Sequence, residues 1–417
     1  MSGFFADTYG VFAGFALALV VALVVTPVAG RLARRFGAMD KPEARKIHSV
    51  PTPRLGGVAI FFGVMIPSLL LLTNEGAVRG VLIGALLITL VGVVDDVRGI
   101  RPLVKLGLQV CVAAILVVYG VRVDTLTIPG LGILVLGWVG IPFTIIWVVA
   151  LMNIVNFIDG MDGLAAGVCA ISSVTFAIIA VSLGRYDMGI LAAAVAGSTL
   201  GFLRHNFHPA RIFMGDSGSL LLGFLLAAIT LQGFLKGVAT VALVIPLLVL
   251  GIPIFDTGFA ILRRVKNRRP VYLADRGHLH HRFSNLGYSQ RQTVAIIYAW
   301  SGLMSAVALA MRFAPKWVTG VLGAVAGIVS LALAYKLEIL RWHKVTQLLG
   351  GATRPPAGGR PSKEAPDRPP ASPPPAERAL DRPPASPPAA GPPGRDGIGG
   401  ERSDSPGERH TEGEKTS

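Results

Sequence analysis

Four groups of carboxylates, amides and basic side chains interrupt an otherwise apolar chain, and each carries residue types suited to phosphate or a hard divalent cation. The first is Asp95-Asp96, in the run GVVDDVRGIRPLVK. Two adjacent carboxylates at the end of an apolar stretch need a counter-charge. A divalent cation, Arg101 or Lys105 would supply it, and an ordinary solvated helix end is the plainer alternative. The second is NIVNFIDGMDGL, with Asn153, Asn156, Asp159 and Asp162. A spacing of three puts the first three on one broad helical face. Amide and carboxylate oxygens are hard ligands suited to Mg²⁺ or Mn²⁺, and Gly160 and Gly163 would let a ligand approach the backbone. Polar packing between helices is the competing explanation, weakened by four oxygen-bearing side chains in ten residues beside lipid.

The third group, FMGDSGSLLLG from Phe213 to Gly223, places Gly215, Asp216, Ser217 and Ser219 just before an apolar run. That is the pattern of a helix N-terminus, where free N–H groups and the dipole favour an anion, although an Asp or Ser N-cap explains it as well. Phe213 is placed to stack on a base or simply to pack. The fourth is the segment Thr257–Gln292, with five arginines from Arg263 to Arg276, then His278, His280, His281 and Arg282. Arg and His together bind phosphates through charge-assisted hydrogen bonds. A zinc site competes, but no cysteine supports it and three histidines in four residues are crowded for one tetrahedral centre. A basic juxtamembrane loop is the plain alternative.

The elements that must position these groups are membrane helices. Only 15% of the residues are charged and 52% are hydrophobic, against about a quarter charged in soluble domains. Apolar runs are expected to span at Val11–Ala29, Leu55–Leu72, Gly80–Val94, Leu106–Gly120, Val139–Asn156, Leu164–Leu183, Met188–Leu203, Ser217–Phe234, Val238–Asp256, Thr293–Met311 and Val318–Tyr335. The expected fold is therefore an all-α polytopic membrane protein of about eleven transmembrane helices. The first run lacks a preceding basic segment and a cleavage site, so it is expected to be a retained helix. Between helices four and five, alternation over Val121–Ile128 followed by Pro129-Gly130 predicts a short extracytoplasmic hairpin. Cys111 and Cys169 fall inside predicted helices without metal-ligand spacing and read as packing residues.

Numbering the connections alternately puts twenty Lys and Arg on one side and six on the other. The positive-inside rule makes the first side cytoplasmic, with the N-terminus outside and the C-terminus inside. All four polar groups then face the cytoplasm. The formal charge of +15 reflects these loops and gives no support for nucleic-acid binding, since no compact basic soluble domain is evident. The expected organisation is one membrane domain over 1–345 and a disordered Pro-rich tail over 351–417, which contains DRPPASPP twice. Neither a G-x-x-x-x-G-K-[ST] loop nor a G-x-G-x-x-G turn occurs, so any nucleotide is bound without a Walker or Rossmann site.

The strings RKIHSVPTPRLGG (Arg45–Gly57), VVDDVRGIRPLVK (Val93–Lys105), NIVNFIDGMDGL (Asn153–Leu164), FMGDSGS (Phe213–Ser219) and DRGHLHH (Asp275–His281) occur in an order that resembles the polyprenyl-phosphate N-acetylhexosamine-1-phosphate transferase family. The resemblance covers roughly residues 40–295 and excludes the tail. It implies transfer of a sugar-1-phosphate from a UDP-sugar to a membrane prenyl phosphate, with release of UMP and with Mg²⁺ or Mn²⁺. It implies Asn156 and Asp216 as metal ligands, and Asp95 and Asp96 as essential acids near the acceptor phosphate. Lys105 would contact phosphate and Phe213 would stack on uracil, while Asp159 and Asp162, counted with Asp95 and Asp96 among the catalytic residues, would shape the site. His278, His280 and His281 would contact the donor's pyrophosphate or sugar, with His280 among the catalytic residues. Asn153, Arg276 and Arg282 complete the expected substrate-binding set. Arg98 stands where some members carry lysine.

PTPRLGG and HLHH look like the branch that uses UDP-GlcNAc to begin O-antigen, common-antigen or teichoic acid synthesis. The alternative is the phospho-MurNAc-pentapeptide branch of peptidoglycan synthesis. The implied partners are the UDP-sugar, the prenyl-phosphate lipid (undecaprenyl phosphate) and the membrane, with a homodimer compatible. The implied location is the plasma membrane with the site facing the cytoplasm. A phosphate monoester is largely dianionic at neutral pH, with a second pKa near 6, so direct attack on the donor's phosphorus is the expected route. A covalent aspartyl intermediate is the alternative. A polytopic transporter is the competing class, but its polar residues should approach the bilayer midplane rather than gather at one edge.

Overall fold

The computed structural model describes residues 2–40, 51–73, 76–128, 132–235, 244–251, 254, 258 and 287–336. The described chain is mostly helical: α1 Ser2–Phe36, α2 Gly56–Leu71, α3 Gly76–Arg98, α4 Pro102–Val118, α5 Gly140–Ile158, α6 Leu164–Ser182, α7 Tyr186–Asn206, α8 Gly215–Thr230, α9 Val244–Val249, α10 Gln290–Phe313 and α11 Lys316–Lys336. Among the described residues, 7 helices are long and apolar enough to cross a membrane, and α2, α4 and α11 contribute shorter apolar segments. The protein is thus a polytopic membrane protein. The expected span Val238–Asp256 and the whole tail 351–417 lie largely or wholly outside the described residues.

Helix α8 is the centre. Every residue from Gly215 to Thr230 is buried except Asp216, as expected of a helix that is apolar all round. It packs against α2, α3 and α5, while α7 is clasped by α1, α2 and α6, and α10 lies on α6. Glycines allow the closest approaches. A Cβ on Gly57 of α2 would run into the backbone of Gly218, and one on Gly92 of α3 into the backbone of Ser217. Small residues serve this purpose where lipid offers no hydrophobic drive for association. Past α8, Leu231–Leu235 widens into a π-helical turn.

The expected hairpin is present but shorter than the alternation suggested: β3 Thr125–Ile128 pairs antiparallel with β4 Gly132–Val135, Thr125 opposite Val135. A second two-residue pairing, β1 Met39–Asp40 with β2 Thr52–Pro53, sits between α1 and α2.

Because connections alternate, one end of the bundle collects the C-termini of α1, α3, α5 and α7 and the N-termini of α2, α4, α6, α8 and α10. Helix α10 starts with a capping box, in which Ser289 Oγ accepts from Gln292 N (3.3 Å) and Ser289 N donates to Gln292 Oε1 (2.9 Å).

Candidate functional site

At that end, side chains from α3, α4, α5 and α8 meet. Lys105 at the start of α4 donates from Nζ to Asp95 Oδ2 (2.8 Å) and also to Asp216 Oδ2. Asn156, near the end of α5, donates from Nδ2 to Asp216 Oδ1 (2.7 Å) and to Ser219 Oγ (2.8 Å). The Lys105, Asp95 and Asp216 side chains are only 16%, 10% and 21% exposed. One ammonium therefore faces two carboxylates in a confined, partly desolvated pocket, an arrangement that leaves negative charge for a further cation to neutralise.

Asp96 has a different task from its neighbour. It accepts the backbone N–H groups of Asp216 (Oδ1, 2.8 Å) and Ser217 (Oδ2, 3.0 Å), and it is buried. It thus caps α8 from another helix, against the favourable end of the α8 dipole. The sequence pattern had suggested an N-terminus open to an anion, or capped by its own Asp or Ser. Instead the residue before the helix, Met214, makes no side-chain cap, and a carboxylate of α3 fills the place. Gly215 makes room for it. Its φ of +72° lies in the left-handed region, and a Cβ there would meet Asp96 Oδ1 at 2.6 Å.

The segment leading into α8 is held by the early PTPRLGG motif. Phe213 N donates to Pro53 O (2.8 Å), Gly56 N to Phe213 O (3.0 Å) and Gly57 N to Met214 O (2.8 Å). This is a positioning role that the motif's composition did not suggest. Phe213 itself is half-buried.

The other predicted residues divide. Asn153 does not join the cluster: its Nδ2 donates to Gln109 Oε1 (2.6 Å) on α4 and to Val149 O (2.8 Å). The spacing of three is helical, but Asn153 turns to α4 while Asn156 turns to α8. Asp159 is the residue just past α5. Burial, then the nearby Asp216 and Asp96 carboxylates, pushes its carboxyl well above the ordinary carboxylate range, with Arg54 opposing. Asp162 pairs with His208 Nδ1 (2.8 Å) and accepts from Ala210 N (3.0 Å), fastening the loop after α7. Arg276, His278, His280, His281 and Arg282 lie outside the described residues.

A divalent cation fits the donors present. Among the described residues no three His, Cys, Asp or Glu side chains close a metal site by themselves. Mg²⁺, however, keeps several waters and takes one or two carboxylates plus substrate phosphates. The hard-oxygen corner of Asp216 and Asn156, beside Asp95, suits that mode.

Sequence inspection missed Gln109, Asn206 and Tyr298. Gln109 is fully buried and bonded to Asn153. Asn206 and Tyr298 bond the turn after Asp162. Gln109 lies four residues after Lys105, on the same face of α4, and that spacing was the one available signal.

Comparison with known proteins relates the chain to a family of transferases. The chain matches the glycosyl transferase family 4 profile over residues 78–234. It is 40% identical over 307 residues to the probable undecaprenyl-phosphate N-acetylglucosaminyl 1-phosphate transferase of Bacillus subtilis (strain 168), covering 73% of this chain and 86% of that protein. It is 37% identical over 357 residues to the decaprenyl-phosphate N-acetylglucosaminephosphotransferase of Mycobacterium leprae (strain TN), covering 78% and 89%. A phospho-N-acetylmuramoyl-pentapeptide-transferase of Caldicellulosiruptor bescii is 32% identical over 317 residues, covering 71% and 94%.

Proposed function

The chain belongs to glycosyl transferase family 4, and on that premise we propose that it transfers N-acetylglucosamine-1-phosphate from UDP-GlcNAc to a polyprenyl phosphate in the plasma membrane, at a site facing the cytoplasm. The observation that carries the reading is the meeting of Asp95, Lys105, Asn156 and Asp216 from four helices at one end of an apolar bundle. A phosphate-binding ammonium beside a hard-oxygen corner suits two phosphorylated substrates at a membrane edge. The relatives whose names specify N-acetylglucosamine are 37–40% identical, against 32% for the muramoyl-pentapeptide relative, which favours the former donor.

In this mechanism an oxygen of the prenyl phosphate attacks the sugar-linked phosphorus of the donor. A new P–O bond forms, the bond to the UMP oxygen breaks, and UMP leaves with that electron pair. Asp216 and Asn156 would hold Mg²⁺ or Mn²⁺, which when bound would supply charge neutralisation and polarise phosphoryl oxygens. Lys105 offers its ammonium to a non-bridging phosphate oxygen, exchanging a carboxylate partner for substrate. Asp95, released from Lys105, orients the acceptor or takes its residual proton. Asp96 holds the α8 N-terminus, and with it Asp216, in place. Phe213 and the Arg–His segment 276–282 are assigned to the uracil and the donor pyrophosphate, and Asp159 shapes the floor.

The test is turnover by purified protein in detergent with undecaprenyl phosphate, Mg²⁺ and either UDP-GlcNAc or UDP-MurNAc-pentapeptide, read as UMP release. UMP and a lipid-linked sugar with UDP-GlcNAc alone is the expected result. Activity with the pentapeptide donor alone overturns the donor and keeps the chemistry. Labelled sugar phosphate retained on the protein without acceptor would replace direct attack by a covalent route.

A further inference from the structure

The proposed metal ligands Asn156 and Asp216 stand on different helices and bond directly at 2.7 Å, so their geometry also depends on what ties together the segments that flank them. The turn after α5 and the loop entering α8 are joined by side chains that touch neither ligand. Asn206, the last residue of α7, is 3% exposed and uses both ends of its carboxamide in opposite directions. Its Oδ1 accepts from Gly163 N (3.0 Å), and its Nδ2 donates to Ile212 O (2.9 Å). One side chain thus spans from the segment that follows Asn156 and Asp159 to the segment that precedes Asp216. The amide accepts at one end and donates at the other. A carboxylate would face the Ile212 carbonyl with no hydrogen to give.

The same turn is gripped from a third helix. Tyr298 of α10 donates from its hydroxyl to Gly163 O (2.5 Å), so both backbone groups of Gly163 are held by distant side chains. The ring lies against Gly167, where any Cβ would collide with it. Gly163 has φ +78°, a conformation that a side-chain-bearing residue rarely takes. Arg291, also on α10, donates to His208 O (3.3 Å) on the facing loop, and Asp162 bonds that loop at His208 and Ala210.

We infer that Asn206 is a positioning residue that ties the turn after α5 to the segment entering α8 and so steadies the Asn156–Asp216 pair, with Tyr298 holding the turn against which it works. The inference rests on the functional reading above. It predicts that loss of the strut impairs cation capture and turnover before it impairs folding. Groups behind metal ligands typically matter by about 10- to 100-fold in affinity or activity, and a displacement of about 1 Å can cost 10²-fold in rate.

The experiment uses the full chain in detergent. Asn206→Asp, Asn206→Ala and Tyr298→Phe are compared with wild type by direct Mn²⁺ binding without substrate (electron paramagnetic resonance), by kcat and donor KM, and by thermal melting. For both Asn206 variants, Mn²⁺ affinity and kcat should fall about 10- to 100-fold, with donor KM within about twofold since the nucleotide contacts remain. Tyr298→Phe removes one oxygen and should show the same pattern more weakly, by about tenfold or less. Folded variants with wild-type Mn²⁺ affinity and kcat overturn the inference. So does a kcat that falls only in proportion to the folded fraction. If Asn206→Ala does not fold, Asn206→Asp and Tyr298→Phe decide on the same criteria. Wild-type protein that neither binds Mn²⁺ nor releases UMP would instead sink the functional reading and leave the strut as architecture alone.

Discussion

The two ends of the helix bundle treat charge in opposite ways. At the site end, Lys105, Asp95, Asp216 and Asn156 come from four helices, are mostly buried, and bond to one another. At the other end, Arg122 and Asp124 sit two residues apart before α5, 46% and 54% exposed, and pair at 2.7 Å. Nearby, Thr73 reaches Asp187 only at 3.5 Å, and Arg312 donates to the end of α6 at Ser182 O (2.9 Å). The Arg122–Asp124 pair is local and solvated, worth about 0–1 kcal/mol. The cluster at the site end costs desolvation and leaves an uncompensated charge when one partner goes. Completion of such a cluster by a ligand is what the proposed function requires, and the comparison can be broken or sharpened by substitution.

The largest effect is expected from Asp216→Asn, which keeps the shape but removes the charge facing Lys105 and any cation. Turnover should fall by about three orders of magnitude, the scale of losing a principal charge-stabilising group, with melting close to wild type. Near-normal UMP release at ordinary Mg²⁺ would show that the buried cluster is structural and that the two ends differ only in depth.

Lys105→Met should lower turnover about 10²-fold, since the ammonium is the proposed hydrogen-bond donor to the substrate phosphate. Its substrate-free Mn²⁺ affinity should stay level or rise, because Lys105 now occupies Asp216 Oδ2. A weakened Mn²⁺ affinity, measured by paramagnetic resonance, would mean that Lys105 helps hold the cation and does not compete with it.

Asp162→Asn keeps an acceptor for Ala210 N and loses the charge beside His208. A loss of tenfold or less is expected, about the size of one hydrogen bond. A loss as large as that of Asp216→Asn, from steady-state kinetics on folded protein, would move Asp162 from fastening the loop into the reacting group. The smallest effect belongs to the far end: Arg122→Gln should change kcat by less than about twofold and stability by under about 1 kcal/mol. A larger shift in denaturation midpoint would show that this end, too, depends on its ion pair.

Much of the site was legible because ionisable groups in apolar sequence are expensive and therefore conspicuous. Asp95, Asn156 and Asp216 were identifiable from type and spacing, and Lys105 as a nearby counter-charge. What spacing could not give was direction. Asn153 and Asn156 share a helical face in projection, yet one bonds α4 and the other α8. The adjacent pair Asp95-Asp96 read as one feature, although consecutive helical residues point about 100° apart. One meets Lys105 and the other caps α8. Asn206 and Tyr298 carried no signal, because an amide at a helix end and a tyrosine on an amphipathic helix are common in any sequence.

The sequence by itself determined that the chain is a helical membrane protein, that its polar groups gather at alternate helix ends, and which residue types are candidates for the chemistry. Those properties follow from hydropathy, charge count and residue type, all of which are local. The tertiary structure alone decided which carboxylate faces the lysine, which one holds a neighbouring helix, and which side chain ties the turn after α5 to the segment entering α8. These depend on bonds between residues such as Asp96 and Ser217 or Gly163 and Tyr298, 121 and 135 positions apart. No pattern along the chain specifies such pairs, because packing selects them only after the helices have formed.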